Sequence, residues 1–208
     1  MADMTAVEAL VAKLAWLGHD GFRLDAPAGV VYFDPYELAA GSPKANLILI
    51  SHDHFDHNVP SDVASIQGPD TVVVTEKDSA AKLSGRVKVL APGDSLEAQG
   101  MTVTALPAYN TDKHFHPRSK GWLGFVLEVD GVTIYHAGDT DFIPEMRGLD
   151  VDVALLPVSG TYVMNWEQAV DAAQAIKPRL AIPMHYGAIV GSQSDAQSAM
   201  VTPFLGKR

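Results

Sequence analysis

Leu47-Ile48-Leu49-Ile50-Ser51-His52-Asp53-His54-Phe55-Asp56-His57 runs four aliphatic residues straight into three imidazoles and two carboxylates. A short apolar run bounded by polar residues reads as a buried strand. A strand that ends in so dense a set of nitrogen and oxygen donors presents a metal site at the edge of a sheet. His52 and His54 lie two apart, so at a strand end both side chains project to one face. Asp56 and His57 follow where the chain leaves the strand and can aim at a neighbouring point. Donors facing two directions suit two adjacent cations, about 3.5–4 Å apart, better than one.

Strand-like and helix-like segments alternate around this stretch. Lys13 to Asp25 reads as a strand pair bent at Gly18 to Gly21, and Val30 to Phe33 as an apolar strand stopped by Asp34-Pro35. Ser61 to Gln67 reads as a short helix and Thr71 to Val74 as a β-branched strand. Thr75 is the expected N-cap of a helix through Leu83, with Asp78 as capping-box partner. Arg86 to Leu90 and Met101 to Leu106 read as further strands. Gly124 to Val129 and Val132 to Tyr135 flank Asp130-Gly131, a two-residue hairpin signal. Val151 to Pro157 is a buried strand. Asn165 can cap a helix through Ile176, which Pro178 ends. Leu180 to Pro183 is a last strand, and Ser192 to Ser198 is expected as a surface loop. Two β-rich halves with helices imply two sheets packed face to face with helices outside, in one domain over residues 1–208.

Bulk properties narrow the chemistry. The 208 residues contain no cysteine, so disulfides and thiolate-held metals are excluded and any metal is held by imidazole and carboxylate. A formal net charge of −10 without a Lys/Arg stripe argues against nucleic acid and against an anionic membrane surface as partners. Met1 to Lys13 carries Asp3 and Glu8 and lacks the basic and long apolar regions of a signal peptide. No apolar run reaches membrane-spanning length. The expected setting is cytoplasmic, and a homo-oligomer is compatible with this composition.

Two further donors lie far away in sequence. Asp139 sits in His136-Ala137-Gly138-Asp139-Thr140, straight after the strand ending at Tyr135. His185 sits in Pro183-Met184-His185-Tyr186-Gly187, straight after another. Each occupies a strand end next to glycine, which permits tight turns and close approach. His136 reads as a core residue or a support to the ligands. His19 sits in a glycine-flanked turn, as a hairpin residue or a site residue. His114 and His116 lie among Lys113, Arg118 and Lys120, either a solvated basic loop or a flap whose cations meet an anionic substrate. Trp122 and Tyr186 read as packing residues.

In this order, Ser51 to His57, Ala137-Gly138-Asp139-Thr140 and Pro183 to Gly187 resemble the metallo-β-lactamase superfamily over nearly the whole chain. The opening Trp16-Leu17-Gly18-His19-Asp20-Gly21-Phe22, followed by Phe33-Asp34-Pro35, looks like the branch containing ascorbate-6-phosphate lactonase. The resemblance implies an α/β four-layer αββα sandwich holding two divalent metals, usually Zn2+, with Mn2+ or Fe2+ as alternatives. His52 and His54 would serve the first metal, Asp56, His57 and His185 the second, and Asp139 would bridge them. The family's third imidazole for the first metal is missing from its expected strand end, Pro107-Ala108-Tyr109-Asn110. Asn110 could offer its amide oxygen, or His114 or His116 could fold back.

The implied activity is hydrolysis of a small molecule, a lactone or phosphoester, anionic substrates included, by a metal-bound hydroxide that Asp56 orients and deprotonates. Two alternatives stand beside it. One is a nuclease of the same superfamily. The other is a metal-binding sensor or scaffold whose first site is degraded.

Overall fold

The chain, described from residue 2 to residue 201 by a computed structural model, builds two six-stranded sheets. It opens with helix α1 (Met4–Val11), whose cap Asp3 accepts the Ala6 N–H. The first sheet takes β1 (Leu14–Gly18), β2 (Gly21–Ala26), β3 (Gly29–Phe33), β4 (Ala45–Leu49), β5 (Gln67–Thr75) and β6 (Arg86–Val89). Helix α2 (Pro60–Ile66) joins β4 to β5, and the short α3 (Lys77–Ala80) joins β5 to β6. The second sheet takes β7 (Ser95–Ala98), β8 (Met101–Pro107), β9 (Leu123–Val129), β10 (Val132–His136), β11 (Val153–Pro157) and β12 (Leu180–Met184). Helix α4 (Trp166–Ile176) connects β11 to β12, and α5 (Gln193–Val201) follows. No helix among the described residues is long and apolar enough to cross a membrane.

Strand order is β1-β2-β3-β4-β5-β6 in one sheet and β12-β11-β10-β9-β8-β7 in the other. In each half the early strands pair antiparallel and the later ones parallel. β1–β2–β3 is an antiparallel meander, and β3, β4, β5 and β6 run parallel. β7–β8–β9–β10 is an antiparallel meander, and β10, β11 and β12 run parallel. Parallel strands end at the same rim, where a sheet of this type binds its ligands.

Period-two alternation explains why the β4 stretch is apolar throughout. Leu47 and Leu49 enter the core shared by the two sheets, with Val31, Phe33, Val72 and Val74 beside them. Ile48 and Ile50 point the other way and pack with Tyr32 and Val73 under Val63 and Ile66 of α2. Helices α4 and α5 lie against β11 and β12, and α4 buries Ala169, Ala172, Ala173 and Ile176. The layers are helix, sheet, sheet, helix, the expected αββα sandwich.

Several local expectations hold. Asp130-Gly131 turns the β9–β10 hairpin with both residues at positive φ, 50° and 75°. Asn165 closes a reciprocal capping box with Gln168. Others are corrected. Thr75 is not a cap: it ends β5 and donates its hydroxyl to the Ile50 carbonyl at 2.8 Å. Glu76 caps α3 instead, because its carboxylate reaches two orphan N–H groups, those of Asp78 and Ser79, at 2.6 Å each. The helix also stops at Ala80, short of Leu83. Ser192 to Ser198 is not a loop but enters α5. Asp195 accepts the Ser192 N–H at its start, and Ala196 and Ala199 are buried one turn apart. The structure adds helix α1 and the edge strand β7 to the expected elements.

Replacing Leu49 by Ala opens a hole where β4 meets the second sheet, and a loss of about 2–5 kcal/mol is expected. Urea unfolding at unchanged m-value measures it. A loss under about 1 kcal/mol would mean that the sheets do not share one tightly packed core.

Candidate metal centre

Every donor-rich segment ends at one rim. The β1–β2 turn brings His19 and Asp20, and the end of β3 brings Asp34. The end of β4 brings Ser51 to His57, and the β8–β9 connection brings Asn110 and His116. The ends of β10 and β12 bring Asp139 and His185. Two groups result. Donor atoms of His52, His54, His116 and Asp139 lie within 4.8 Å of one another, and so do those of His19, Asp56, His57 and His185. Asp139 belongs to both neighbourhoods. Its Oδ2 lies 3.1 Å from His116 Nε2 and 3.2 Å from His185 Nε2, and its Oδ1 lies 3.5 Å from His57 Nε2.

The imidazoles of His52, His57, His116 and His185 are each held from behind, while His54 Nδ1 meets His52 Nε2 at 3.0 Å. Asp34 accepts three bonds, from Ser51 N at 2.7 Å, Ser51 Oγ at 2.6 Å and His57 Nδ1 at 2.9 Å. The Ser51 hydroxyl proton is thereby used, so at 2.8 Å Ser51 Oγ must accept from His52 Nδ1–H. His116 Nδ1 faces two carbonyl oxygens at 3.2 Å, Asn110 Oδ1 and Tyr162 O, and so carries its proton there. His185 Nδ1 meets Ser159 Oγ at 2.8 Å. In His52, His57 and His116 these bonds put a proton on Nδ1 and turn Nε2 inward, the usual support of a metal-ligating histidine.

The backbone is bent to fit. His19, Asp34 and His185 adopt positive φ, at 52°, 40° and 59°, an uncommon conformation for non-glycine residues that clusters at functional sites. Gly138 has φ +62°, and a Cβ there would stand 2.7 Å from the Leu123 carbonyl and 3.1 Å from Ser51 Cβ. Only glycine lets the Asp139 turn lie against the Ser51 strand end.

Electrostatics fit a cation. Burial pushes the His52 and His54 imidazoles down, His52 well below its usual range, so both favour the neutral, ligating form. Burial alone would raise the Asp139 carboxyl, but His185 and His57 beside it hold it well below the ordinary range. Burial would lower His57, yet Asp139, Asp34 and Asp20 raise it well above, which shows how negative the field is there. His57 Nε2, His116 Nε2, Asp139 Oδ1 and both Asp20 oxygens are buried without a hydrogen-bond partner. Inward ring nitrogens and carboxylate oxygens without a hydrogen-bond partner, in a negative field, are what a divalent ion supported by imidazole and carboxylate requires.

Comparison with known proteins agrees with this geometry. The family described as the beta-lactamase superfamily domain matches residues 13–185. A relative from Methanoregula boonei, named UPF0173 metal-dependent hydrolase, is 34% identical over 194 residues, covering 88% of this chain and 86% of its own. A second of that name from Thermoplasma acidophilum is 34% identical over 187 residues, covering 84% and 83%. A solved structure from Parabacteroides distasonis superposes with TM-score 0.78 at 38% identity, over 84% of this chain and 82% of that one. The chain belongs to the metallo-β-lactamase superfamily.

Within that superfamily fold, the sequence-predicted donors His52, His54, Asp56, His57, Asp139 and His185 come together at one rim. Of the candidates for the missing third imidazole, His116 folds back into the first group. His114 stays exposed and stacks on Phe115, with ring centroids 4.4 Å apart, outside both groups. Asn110 is not among the inward donors. Its amide donates to Asp141 and to the Tyr162 carbonyl, and its Oδ1 accepts the His116 N–H at 2.9 Å. The conformation of the 110–116 loop turns His116 inward and spends the Asn110 side chain on holding it there. His19 places Nε2 3.0 Å from Asp56 Oδ2. His136 is buried under Phe33, donates to the Asp20 carbonyl at 2.9 Å, and lies outside the two main groups.

Asp20, Asp34 and Asp141 were missed as site residues. Asp34 was read as a strand stop and Asp20 as part of a turn. Nothing local marked Asp141, which binds Lys113 at 2.7 Å and pins the Thr111 N–H.

Asn110→Ala removes the acceptor behind His116, and zinc affinity of the first group is expected to fall roughly 10–100-fold. Competition with a chromophoric chelator reads this directly, with His114→Ala as the unaffected control. Unchanged affinity in the Asn110 variant would overturn the supporting role of Asn110.

Proposed function

We propose that this protein, a metal-dependent hydrolase of the metallo-β-lactamase superfamily, holds two divalent cations and cleaves a small-molecule lactone or phosphoester. The observation that carries the reading is the position of Asp139, within reach of both imidazole groups, with tied-back histidines aimed at it. In this reading His52, His54 and His116 serve one cation, Asp56, His57 and His185 the other, and Asp139 both. Zinc suits the nitrogen-rich donor set, and manganese or iron remains compatible with it. When bound, such a pair lowers the pKa of water toward about 7 and polarises the oxygen of the scissile bond.

The chain's own residues supply the rest. Asp56 is partly exposed at the site and accepts from His19 Nε2 at 3.0 Å. Burial would raise its carboxyl, but the His19 hydrogen bond and the nearby His57 together outweigh that and keep it below the ordinary range. Asp56 is therefore an ionised proton acceptor at neutral pH, oriented by His19. Trp122 packs against the rings of His52, His54 and His116 at centroid distances of 4.8, 4.7 and 5.4 Å, which keeps water from that side of the first group. The scaffold alternative rests on a missing imidazole, and the approach of His116 Nε2 to Asp139 Oδ2 at 3.1 Å supports the catalytic reading instead. The nuclease alternative finds no support in a chain of net charge −10.

Metal-replete protein assayed with a simple lactone and with bis(4-nitrophenyl) phosphate tests the reading. His52→Ala and Asp139→Ala are each expected to abolish turnover. Asp56→Asn should lower kcat by about 10²–10⁴-fold. Full activity in the His52 or Asp139 variant would sink the two-cation mechanism.

A further inference from the structure

We propose that the mouth of this site is a specificity surface for small uncharged substrates that carry an aromatic ring, or a similarly flat apolar group, beside the scissile bond. The inference rests on the hydrolase reading and narrows its substrate class. Among the described residues the exposed Phe, Trp and Tyr side chains are Trp16, Phe55 and Phe115, at 42%, 70% and 37% exposure. Exposed apolar side chains scattered singly need no explanation. These three all border the donor groups, and each leans on a half-buried aromatic partner.

Trp16 stacks on Tyr186, the residue after His185, at 4.6 Å between ring centroids, and its indole N–H donates to the His19 carbonyl at 2.9 Å. Phe55, between His54 and Asp56, meets Tyr36 edge-on at 6.5 Å, and Tyr36 lies 6.2 Å from the His19 ring. Phe115, the residue before His116, meets Tyr162 edge-on at 4.7 Å, and the Tyr162 carbonyl faces His116 Nδ1. Three aromatic pairs thus stand beside three donor segments. Convergent polar groups bordered by aromatic rings describe a site for an apolar ligand with one reactive polar centre.

Charge points the same way. The cations of the 110–122 segment are already paired: Lys113 with Asp141 at 2.7 Å, Arg118 with Glu145 at 2.8 Å and Lys120 with Asp78 at 3.5 Å. Lys82, reaching the histidine motif from α3's far end, is paired with Asp53 at 2.6 Å. Asp34, Asp56 and Asp139 offset most of the charge that two divalent cations would bring. An anionic substrate would find no unpaired cation on these loops, whereas an uncharged ring finds three aromatic faces.

The test uses metal-replete protein with 3-isochromanone (a benzo-fused lactone), δ-valerolactone and 4-nitrophenyl phosphate. Binding of 2-indanone, which has no ester to cleave, is followed separately by saturation-transfer NMR. The expected result is a kcat/KM for 3-isochromanone at least about tenfold above the other two. Trp16→Ala, Phe55→Ala and Phe115→Ala should each raise its KM and weaken 2-indanone binding by roughly 2–10-fold. Met4→Ala, exposed on α1, should change neither. Preferred turnover of the phosphate, or 2-indanone binding indifferent to all three variants, overturns the inference while leaving the hydrolase reading intact. Ring-dependent 2-indanone binding without turnover of any substrate sinks the hydrolase reading and leaves the apolar surface standing. A dimer in light scattering that Phe55→Asp splits would make the mouth an interface between two copies, and the substrate inference would fall.

Discussion

The carboxylate of Asp34 is the tie on which the candidate centre depends. It sits one residue past β3, in a left-handed conformation, and its own N–H donates to the Leu49 carbonyl at the end of β4. Its two oxygens then hold Ser51 by backbone and side chain and His57 by Nδ1. One buried side chain thereby locks two adjacent parallel strands together at their carboxyl ends. It also sets the tautomers of His52, through Ser51, and of His57. Removing it would leave a buried serine, two unanchored imidazoles and an unsatisfied backbone N–H, each a larger penalty than one ordinary hydrogen bond is worth. The strained φ at Asp34 is compatible with that economy, because the surrounding bonds over-determine the conformation.

A second tie works from the other sheet. Asp141, fully buried, accepts from Lys113, from the Thr111 N–H and from Asn110. Asn110 passes the constraint to His116 by accepting both its N–H and its Nδ1–H. The first donor group is therefore closed by a loop, not by a strand end, and its third imidazole arrives six residues later in sequence than the strand geometry would suggest. Both ties follow one rule: a donor that presents a lone pair to a cation must dispose of its proton behind itself.

Legibility in the sequence followed the range of the interaction involved. The apolar run before the histidine motif, the Asp130-Gly131 hairpin and the Asn165–Gln168 box are local, and each could be read directly. Thr75 has the chemistry of a cap, but its hydroxyl bonds to Ile50, 25 residues away, and no local pattern carries that contact. The Ser192 to Ser198 stretch misled because its composition is polar. Only the burial of Ala196 and Ala199 makes it a helix worth forming. Asp141 was invisible for a similar reason, since its partners lie about 30 residues upstream in chain and a few ångströms away in space.

By itself the sequence determined the family resemblance, the layered α/β architecture and the identity of most inward donors. Periodicity, strand-end placement and residue chemistry are written in order along the chain. The tertiary structure alone decided which histidine joins His52 and His54, that Asn110 holds it, and that Asp34 and Asp141 anchor the two halves. It alone left Trp16, Phe55 and Phe115 exposed beside three donor segments, each against an aromatic partner. Those relations depend on where the ends of separate strands meet, and that is set by the packing of two sheets and not by any local run of residues.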